Sequence, residues 1–575
     1  MSDFSVNSKI IINLYRYYTE QCGKMPVYFG NDISEFYPAR VDFPRIPYKG
    51  QAACKLDQLK DSLFNDSEIN LSSLAMVQDG KLIKEYYKPP YSKYYRRVSY
   101  SVCKTVVALG VGIAIDKGLF DINTRLYDLF PDHSGIFMKR GMKQVTIKHL
   151  LTMTAGVSFD EACAFFSFDW CKDFMGGNLL FAPGDDFYYN SLNSYMLGAC
   201  ISKASGRELL DFLQENLFAP LNIRDITWDK CPKGIPKGGW GMKLSLRDML
   251  MLGELINNKG VVKTEGRIQR IVSREYMNEM LNPQVKIANR KHVTGYGYGI
   301  WILNDKAYLM NGIFGQNVYI NREKSMVIAT FGSANELFPD GALIEKIMSF
   351  AKKSDRTEKR HFIKNVAGLI ENRGRTIIRQ HVLHNQKREL SHIKKRMGAY
   401  LGINYIFSDY ASGILPLITQ VMYSNYLSGI NSISFQLVNK DFYIKLKDND
   451  IEIKLKMGYS QLNPYAYQII TIGGKQLPVA LAAKILPDED NGFALNIHIV
   501  FLEEVEDKIL RIYFNDGRIR MQVYETPGLI TFMDKFAGEL DLFKKRGLNK
   551  FVSPDYVKYK IEKFMQPDVI GIADE

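Results

Sequence analysis

Two short apolar-rich, β-prone runs make up LAMVQDGKLIKE (residues 74–85), and the polar pair Asp79-Gly80 separates them. That pattern predicts two short strands joined by a two-residue hairpin turn. From Ser101 to roughly Met280 the apolar spacing becomes helical. An apolar helix after Ser101 ends where Gly118 can cap it, and KHLLTMTAG, SYMLGACISKASG and SLRDMLMLGELINNKG follow. Strand patterns return over Tyr296–Asn304, Gln316–Arg322 and Ser325–Ser333, and a helix is expected near Leu343–Ala351. The fold class expected is therefore α+β, with a helical region inserted into a mixed sheet whose strands come from both ends of that region. Between Met397 and Tyr524 many short Ile-, Val-, Tyr- and Phe-rich runs, separated by turn residues, predict a small β-barrel or sandwich. The last fifty or so residues, with DKFAGELDLFKK and DYVKYKIEKFMQ, read as helical. The expected organisation is an extension over 1–44, a catalytic-type domain over 45–351, a basic helical linker over 352–396 and a β-rich domain over 397–575.

Length changes that picture little: 575 residues are enough for two or three cores. Charge matters more, because the net +13 is concentrated. The stretch from Lys352 to Arg396 holds fourteen Lys and Arg against four Asp and Glu. With no nucleic-acid module beside it, a solvated helical face is expected there rather than an RNA, DNA or anionic-lipid contact. The seven cysteines, Cys22, Cys54, Cys103, Cys163, Cys171, Cys200 and Cys231, are odd in number and irregularly spaced. Reduced thiols in a bacterial cytoplasm are the expectation. The N-terminus carries no signal-peptide pattern, and Thr105–Ile115, the most apolar run, is about half of a bilayer crossing. A cytoplasmic protein without a transmembrane segment is expected. Eight histidines without an HExxH pairing point away from a metal mechanism, and the GYGYG run lacks the helix that a phosphate loop requires.

One constellation carries chemistry. Ser101-Val102-Cys103-Lys104 has the form S-x-x-K at the start of the apolar helix. Three residues are nearly one helical turn, so the lysine amine can sit beside the serine hydroxyl and take its proton. The same form recurs at Ser349–Lys352 and Ser391–Lys394, neither of which opens a buried helix. The string SYSVCKTVVALGVGIAIDKGLFDINTRLYDLFPDH, then VTIKHLLTMTAGV, APGDDFYYNSLNSYMLGACISKASG, GGWGMKLSLRDMLMLGELINNKG and GYGYGIWI, resembles in order and spacing the serine hydrolases of the β-lactamase and penicillin-binding-protein superfamily. It is closest in character to the class C β-lactamase type and its esterase and amide-hydrolase branch.

The resemblance implies that fold over about 45–350, with Ser101 as nucleophile and Lys104 as its partner. The family's Tyr-x-Asn motif falls on Tyr189-Asn190-Ser191, a Tyr-x-Ser, with Tyr188-Tyr189-Asn190 as the alternative register. Tyr189 is the expected general base and acid. The third motif aligns with Met310-Asn311-Gly312-Ile313-Phe314-Gly315-Gln316, where Met310 stands in the place of the family's cation. The backbone N–H groups of Ser101 and Ile313 are implied as the oxyanion hole. Ser191, Gly312, Gln316 and Trp170 are candidate pocket residues. Trp170 lies in the aromatic stretch 161–174, which reads equally as substrate wall or as core, and Trp240 reads as packing. The function implied is cleavage of a small ester or amide through an acyl-serine, with no organic cofactor and no metal. The alternatives are a penicillin-recognising D-amino-acid peptidase or β-lactamase, and a catalytically idle binding protein. Some family members carry a lipocalin-like β-domain after the catalytic one, which the strand-rich C-terminal segment resembles. A homo-oligomer is compatible with all of these readings.

Overall fold

Asp79 and Gly80 both take left-handed backbone conformations (φ 50° and 72°), and the turn they form joins strand β1 (Leu71–Gln78) to β2 (Lys81–Tyr87). This is the turn chemistry that Asp-Gly favours. The computed structural model describes residues 51–353, 391–527 and 568–574, apart from short stretches within them of which the longest are 134–140 and 421–428. The 1–44 extension, all but the ends of the 352–396 basic stretch, and the helices expected at 534–545 and 555–566 lie outside the described residues. The chain divides into two compact units, of which 51–353 form one and 391–574 the other.

In the first unit, β3 (Arg97–Val98), helix α2 (Val102–Asp116), α3 (Trp170–Met175), α4 (Ser191–Ser205), β4 (Thr227–Trp228), β5 (Met242–Leu244) and α5 (Leu246–Asn257) separate the first hairpin from the strands that complete its sheet. Those strands are β6 (Val285–Lys286), β7 (Val293–Tyr296), β8 (Trp301–Leu303), β9 (Tyr308–Gly312), β10 (Gln316–Asn321) and β11 (Met326–Gly332). Among the described residues they form an eight-stranded sheet in the order β2-β1-β11-β10-β9-β8-β7-β6, with antiparallel ladders throughout. Helices α1 (Gln51–Phe64) and α6 (Ala342–Lys353) cover one face, where Leu56, Leu63, Leu343 and Ile347 pack on Leu74, Met76, Tyr319 and Ile328. Helix α5 lies on the other, with Gly253 against Val318 and Val327. Both faces being covered, β1 and β11 are buried along their whole length. This explains why SMVIATFG reads as a continuous apolar run rather than an alternation. Helix α2 is buried from Val102 to Ala114, and Gly118 follows its end at φ 71°, donating to Ile115 O as a left-handed cap. The first unit is therefore α+β, with a helical region inserted between the first hairpin and the strands that complete its sheet.

Among the described residues, the second unit is a ten-stranded antiparallel sheet. Its strands are β12 (Asn404–Phe407), β13 (Ile430–Val438), β14 (Asp441–Asp448), β15 (Ile451–Met457), β16 (Ala466–Ile472), β17 (Lys475–Pro487), β18 (Phe493–Phe501), β19 (Asp507–Asn515), β20 (Arg518–Thr526) and β21 (Asp568–Ala573). Their order is β15-β14-β13-β12-β21-β20-β19-β18-β17-β16. The far ends approach one another where Gly458, just past β15, bonds to Leu481 and Ala483 of β17, giving a nearly closed, barrel-like sheet. Alternate side chains, such as Ile453, Leu455 and Met457, point into one apolar core. The expectation of helix in the last residues is corrected at one point: DVIGIA pairs with β12 and β20 as a strand, its Val569 packing into that core. Among the described residues no helix is long and apolar enough to cross a membrane.

Candidate active site

Strand β3 pairs with β5, and beyond it Ser99 is pinned by its N–H and its hydroxyl, both donated to Met242 O (2.8 and 2.9 Å). Tyr100 then turns the chain through a left-handed conformation, φ 46°. A non-glycine residue there costs on the order of 1–3 kcal/mol. Packing of the buried Tyr100 ring edge-on against Phe314 (centroids 5.6 Å apart) helps to offset it. The turn leaves Ser101 at the N-cap of α2, half-buried, with its hydroxyl not used as a cap. It hydrogen-bonds Lys104 instead.

Lys104 is 1% exposed, and its ammonium nitrogen has three oxygen neighbours: Ser101 Oγ at 2.6 Å, Ser191 Oγ at 2.8 Å and Gly239 O at 2.9 Å. An ammonium can donate to all three. A neutral amine can donate to Ser191 and Gly239 and turn its lone pair to Ser101, which is the geometry a base needs. Ser191 opens α4. Asn190 caps that helix by accepting from Leu192 N, while its amide donates to Val157 O and Phe159 O. The Ser191 N–H donates to Glu161 Oε1 at 2.9 Å. The Ser191 hydroxyl is thus directed to Lys104. Gly239 comes this close because it lacks a side chain: a Cβ there would lie 2.5 Å from Ser191 O. The neighbouring Cys103 is no rival nucleophile, since burial pushes its thiol up to about 12.

Two tyrosines compete for the second motif, and they point to different partners. Tyr188 donates its N–H to Met153 O and its phenol to Asp160 Oδ2 at 3.3 Å. Burial, and then the adjacent Glu161 charge, raise the Asp160 carboxyl. The Tyr189 ring centre is 4.9 Å from Lys104 Nζ; it stacks on Trp301 (5.4 Å) and meets Tyr296 and Phe338 edge-on. The tyrosine at Lys104 is therefore Tyr189.

The third segment comes up beside the serine. Gly312 ends β9 against the backbone of Ser99, where a Cβ would be 2.3 Å from Ser99 O. Phe314, also left-handed at φ 63°, meets Tyr100. Ile313 lies between these two contacts. Met310 is fully buried in β9, and Asn311 is engaged across the hairpin with Asn317 Oδ1 at 2.7 Å. Two pocket expectations are corrected. Gln316 is fully buried, with Nε2 donating to Ile313 O, Phe314 O and Gly332 O and Oε1 accepting from Gly332 N, so it braces the turn. Trp170 is core: 3% exposed, stacked on Trp240 and edge-on to Tyr195. The other two S-x-x-K serines, Ser349 and Ser391, are exposed. The Gly239 carbonyl, Trp301 and Glu161 join the site without a motif of their own. The only sequence trace of the first is the glycine-rich GGWG run.

Residues 66–349 match the family model described as Beta-lactamase. Among curated proteins the chain is 28% identical to acyltransferase mokF of Monascus pilosus and to monacolin J acid methylbutanoyltransferase of Aspergillus terreus, over 22% of this chain. The match spans about a third (35%) of the length of those relatives. Among solved structures, a family VIII carboxylesterase is 18% identical with a TM-score of 0.43, covering 52% of this chain and 98% of that one. The octameric penicillin-binding protein homologue from Pyrococcus abyssi is 14% identical with a TM-score of 0.42, covering 76% and 98%.

Proposed function

Because residues 66–349 belong to the β-lactamase and penicillin-binding-protein-like superfamily, we propose that this chain is a serine hydrolase that cleaves an ester or amide through an acyl-enzyme on Ser101. The observation that carries this reading is Lys104 Nζ, held by Ser191 Oγ and Gly239 O and 2.6 Å from Ser101 Oγ. In the reaction Ser101 Oγ bonds to the carbonyl carbon and its proton passes to Lys104. Tyr189, beside Lys104, relays that proton to the leaving oxygen or nitrogen as the acyl bond breaks. The N–H groups of Ser101 and Ile313 receive the oxyanion, at a helix start where the backbone dipoles favour negative charge. Water then attacks the acyl-serine, giving its proton to the Lys104–Tyr189 pair; the acyl–Oγ bond breaks, the pair returns that proton to Ser101 Oγ, and the acid leaves.

Met310 in the place of the family's cation disfavours substrates held by a carboxylate, and with them the β-lactamase and peptidase alternatives. A second reading, acyl transfer to an alcohol instead of water, is favoured by the acyltransferase names of the partial relatives.

The test is labelling with a fluorophosphonate probe and turnover of short p-nitrophenyl esters, comparing the wild type with Ser101→Ala and analysing the acyl product with and without added alcohols. Labelling and turnover that vanish in the variant are expected. Retained activity in Ser101→Ala, or a wild type that neither labels nor turns over any ester, overturns the proposal and favours the idle-fold alternative. A preponderance of ester over acid product would favour the transferase reading.

A further inference from the structure

The segment that follows β11 touches both halves of the site. Phe314, one residue past Ile313, donates its N–H to Glu336 O at 2.7 Å, and its carbonyl accepts from Ala334 N at 3.0 Å. A few residues on, the half-buried Phe338 ring meets the Tyr189 ring edge-on, 6.3 Å between centroids. Phe338 is braced in turn. The Arg290 guanidinium carbon lies 4.0 Å from its ring centre and 5.6 Å from that of Trp301, the ring on which Tyr189 stacks. An ion pair with Asp340 Oδ2 at 2.6 Å fixes Arg290, and Asp340 belongs to the same segment as Phe338. A cation stacked on two rings and tied to a carboxylate has little freedom to leave, so the Phe338 ring is held in place.

In the proposed reaction the carbonyl carbon stands among Ser101 Oγ, the Ile313 N–H and the Tyr189 phenol. The segment is thus bonded to the Ile313 turn at one end and packed on Tyr189 at the other. Resting on the hydrolase reading above, we propose that Phe338, braced by Arg290 and Asp340, is the wall that limits acyl length, so that the substrates are esters or amides of short acyl groups. The wall is aromatic on the Tyr189 side, and Met310 supplies no charge from β9. An uncharged acyl chain is therefore the class that fits.

The test is the ratio of kcat/KM for p-nitrophenyl octanoate to that for the acetate in wild type, Phe338→Ala and Arg290→Met. Wild type is expected to favour the acetate. Removing the ring opens room for the chain, and each methylene newly buried raises the octanoate value roughly fourfold. A rise in the ratio of tenfold or more in Phe338→Ala, and a smaller rise in Arg290→Met, supports the wall. An unchanged ratio, or an equal fall for both esters, overturns it and leaves Phe338 as a residue that only orients Tyr189. Fluorophosphonate labelling keeps the two readings apart. A protein that labels but whose ratio does not respond loses the wall alone, whereas one that neither labels nor hydrolyses loses the hydrolase reading and the wall with it.

Discussion

At the scale of single residues, the site is organised around how many acceptors Lys104 can satisfy. Ser191 Oγ and Gly239 O hold two of its N–H groups, and Ser101 Oγ is what remains. Removing one acceptor from a buried, potentially charged donor costs about 1.5–3 kcal/mol. Ser191→Ala is therefore expected to lower kcat on p-nitrophenyl acetate by roughly ten- to a hundredfold. The two tyrosines of the second motif give an internal contrast. Tyr189→Phe removes the hydroxyl of the ring that lies against Lys104 and is expected to lower kcat by about 100- to 10,000-fold, the range for loss of a general acid–base group. Tyr188→Phe removes only a hydrogen bond to Asp160 and should stay within a few-fold of wild type. Steady-state kinetics on the three variants checks the set, and equal losses at Tyr188 and Tyr189 would refute the assignment. Both registers of the motif were visible in YYNS. The register of the following helix already favoured Tyr189, and the side-chain directions agree with that choice: Asn190 turns to cap α4 and to bind the 157–159 backbone, while Ser191 and Tyr189 face Lys104.

At the scale of elements, two sharp turns meet: Tyr100 between β3 and α2, and Phe314 between β9 and β10, both left-handed and in contact through their rings. Gly312 lets them meet. A methyl group there would stand 2.3 Å from Ser99 O, a backbone atom that cannot swing aside, so β9 and the Ser99–Ser101 turn must separate. Gly312→Ala is expected to cost about 1–3 kcal/mol of stability and to slow fluorophosphonate labelling more than tenfold. Gly118→Ala is the control. Its φ of 71° costs roughly 1–2 kcal/mol, but nothing lies within 4 Å of the added Cβ, and the site is not reached. Labelling at the wild-type rate in folded Gly312→Ala would show that the close approach is not needed. The order of elements was legible because each carries its own periodicity and punctuation: Asp-Gly for the hairpin, Gly118 for the end of α2, S-x-x-K at its start. The approach of Gly239 to Ser191 was not, since a carbonyl acceptor has no side-chain signature. Gln316 reads from the sequence as a polar group of a strand or as a pocket residue, and the four backbone groups that it bonds favour the first reading.

At the scale of the whole chain, the two units were legible to different degrees. Chemistry marks the first unit, and alternation alone marks the second. Alternation identifies strands without saying what lies at their ends. The acidic run FLEEVEDKIL leads from the end of β18 into β19, and its Glu504, Glu506 and Lys508 are buried. Thr419 donates to Glu506 Oε2 at 2.8 Å, and Lys508 pairs with Glu525 at 2.9 Å and donates to the carbonyls of Gly413 and Leu415, so Gly413, Leu415 and Thr419 lie against these charged side chains. Burial first, and then the Glu504 charge, push the Glu506 carboxyl up to about 8, with Glu525 adding to the rise and the Thr419 hydrogen bond opposing it. A carboxyl whose folded value lies above its unfolded one contributes stability at low pH, and that contribution is lost as pH rises from about 4.5 towards 8. Glutamine has the shape of the protonated acid and can still accept from Thr419, but it has no unfolded-state ionisation to lose stability to. Glu506→Gln is therefore expected to stabilise the unit by on the order of 3 kcal/mol at pH 7 and by less than about 1 kcal/mol at pH 5. Calorimetry of the full chain from pH 5 to 8 should show one transition displaced upward by several degrees at the alkaline end, with the displacement shrinking as pH falls. A displacement independent of pH would mean that Glu506 is already ionised in the folded unit, with Lys508 shared between it and Glu525.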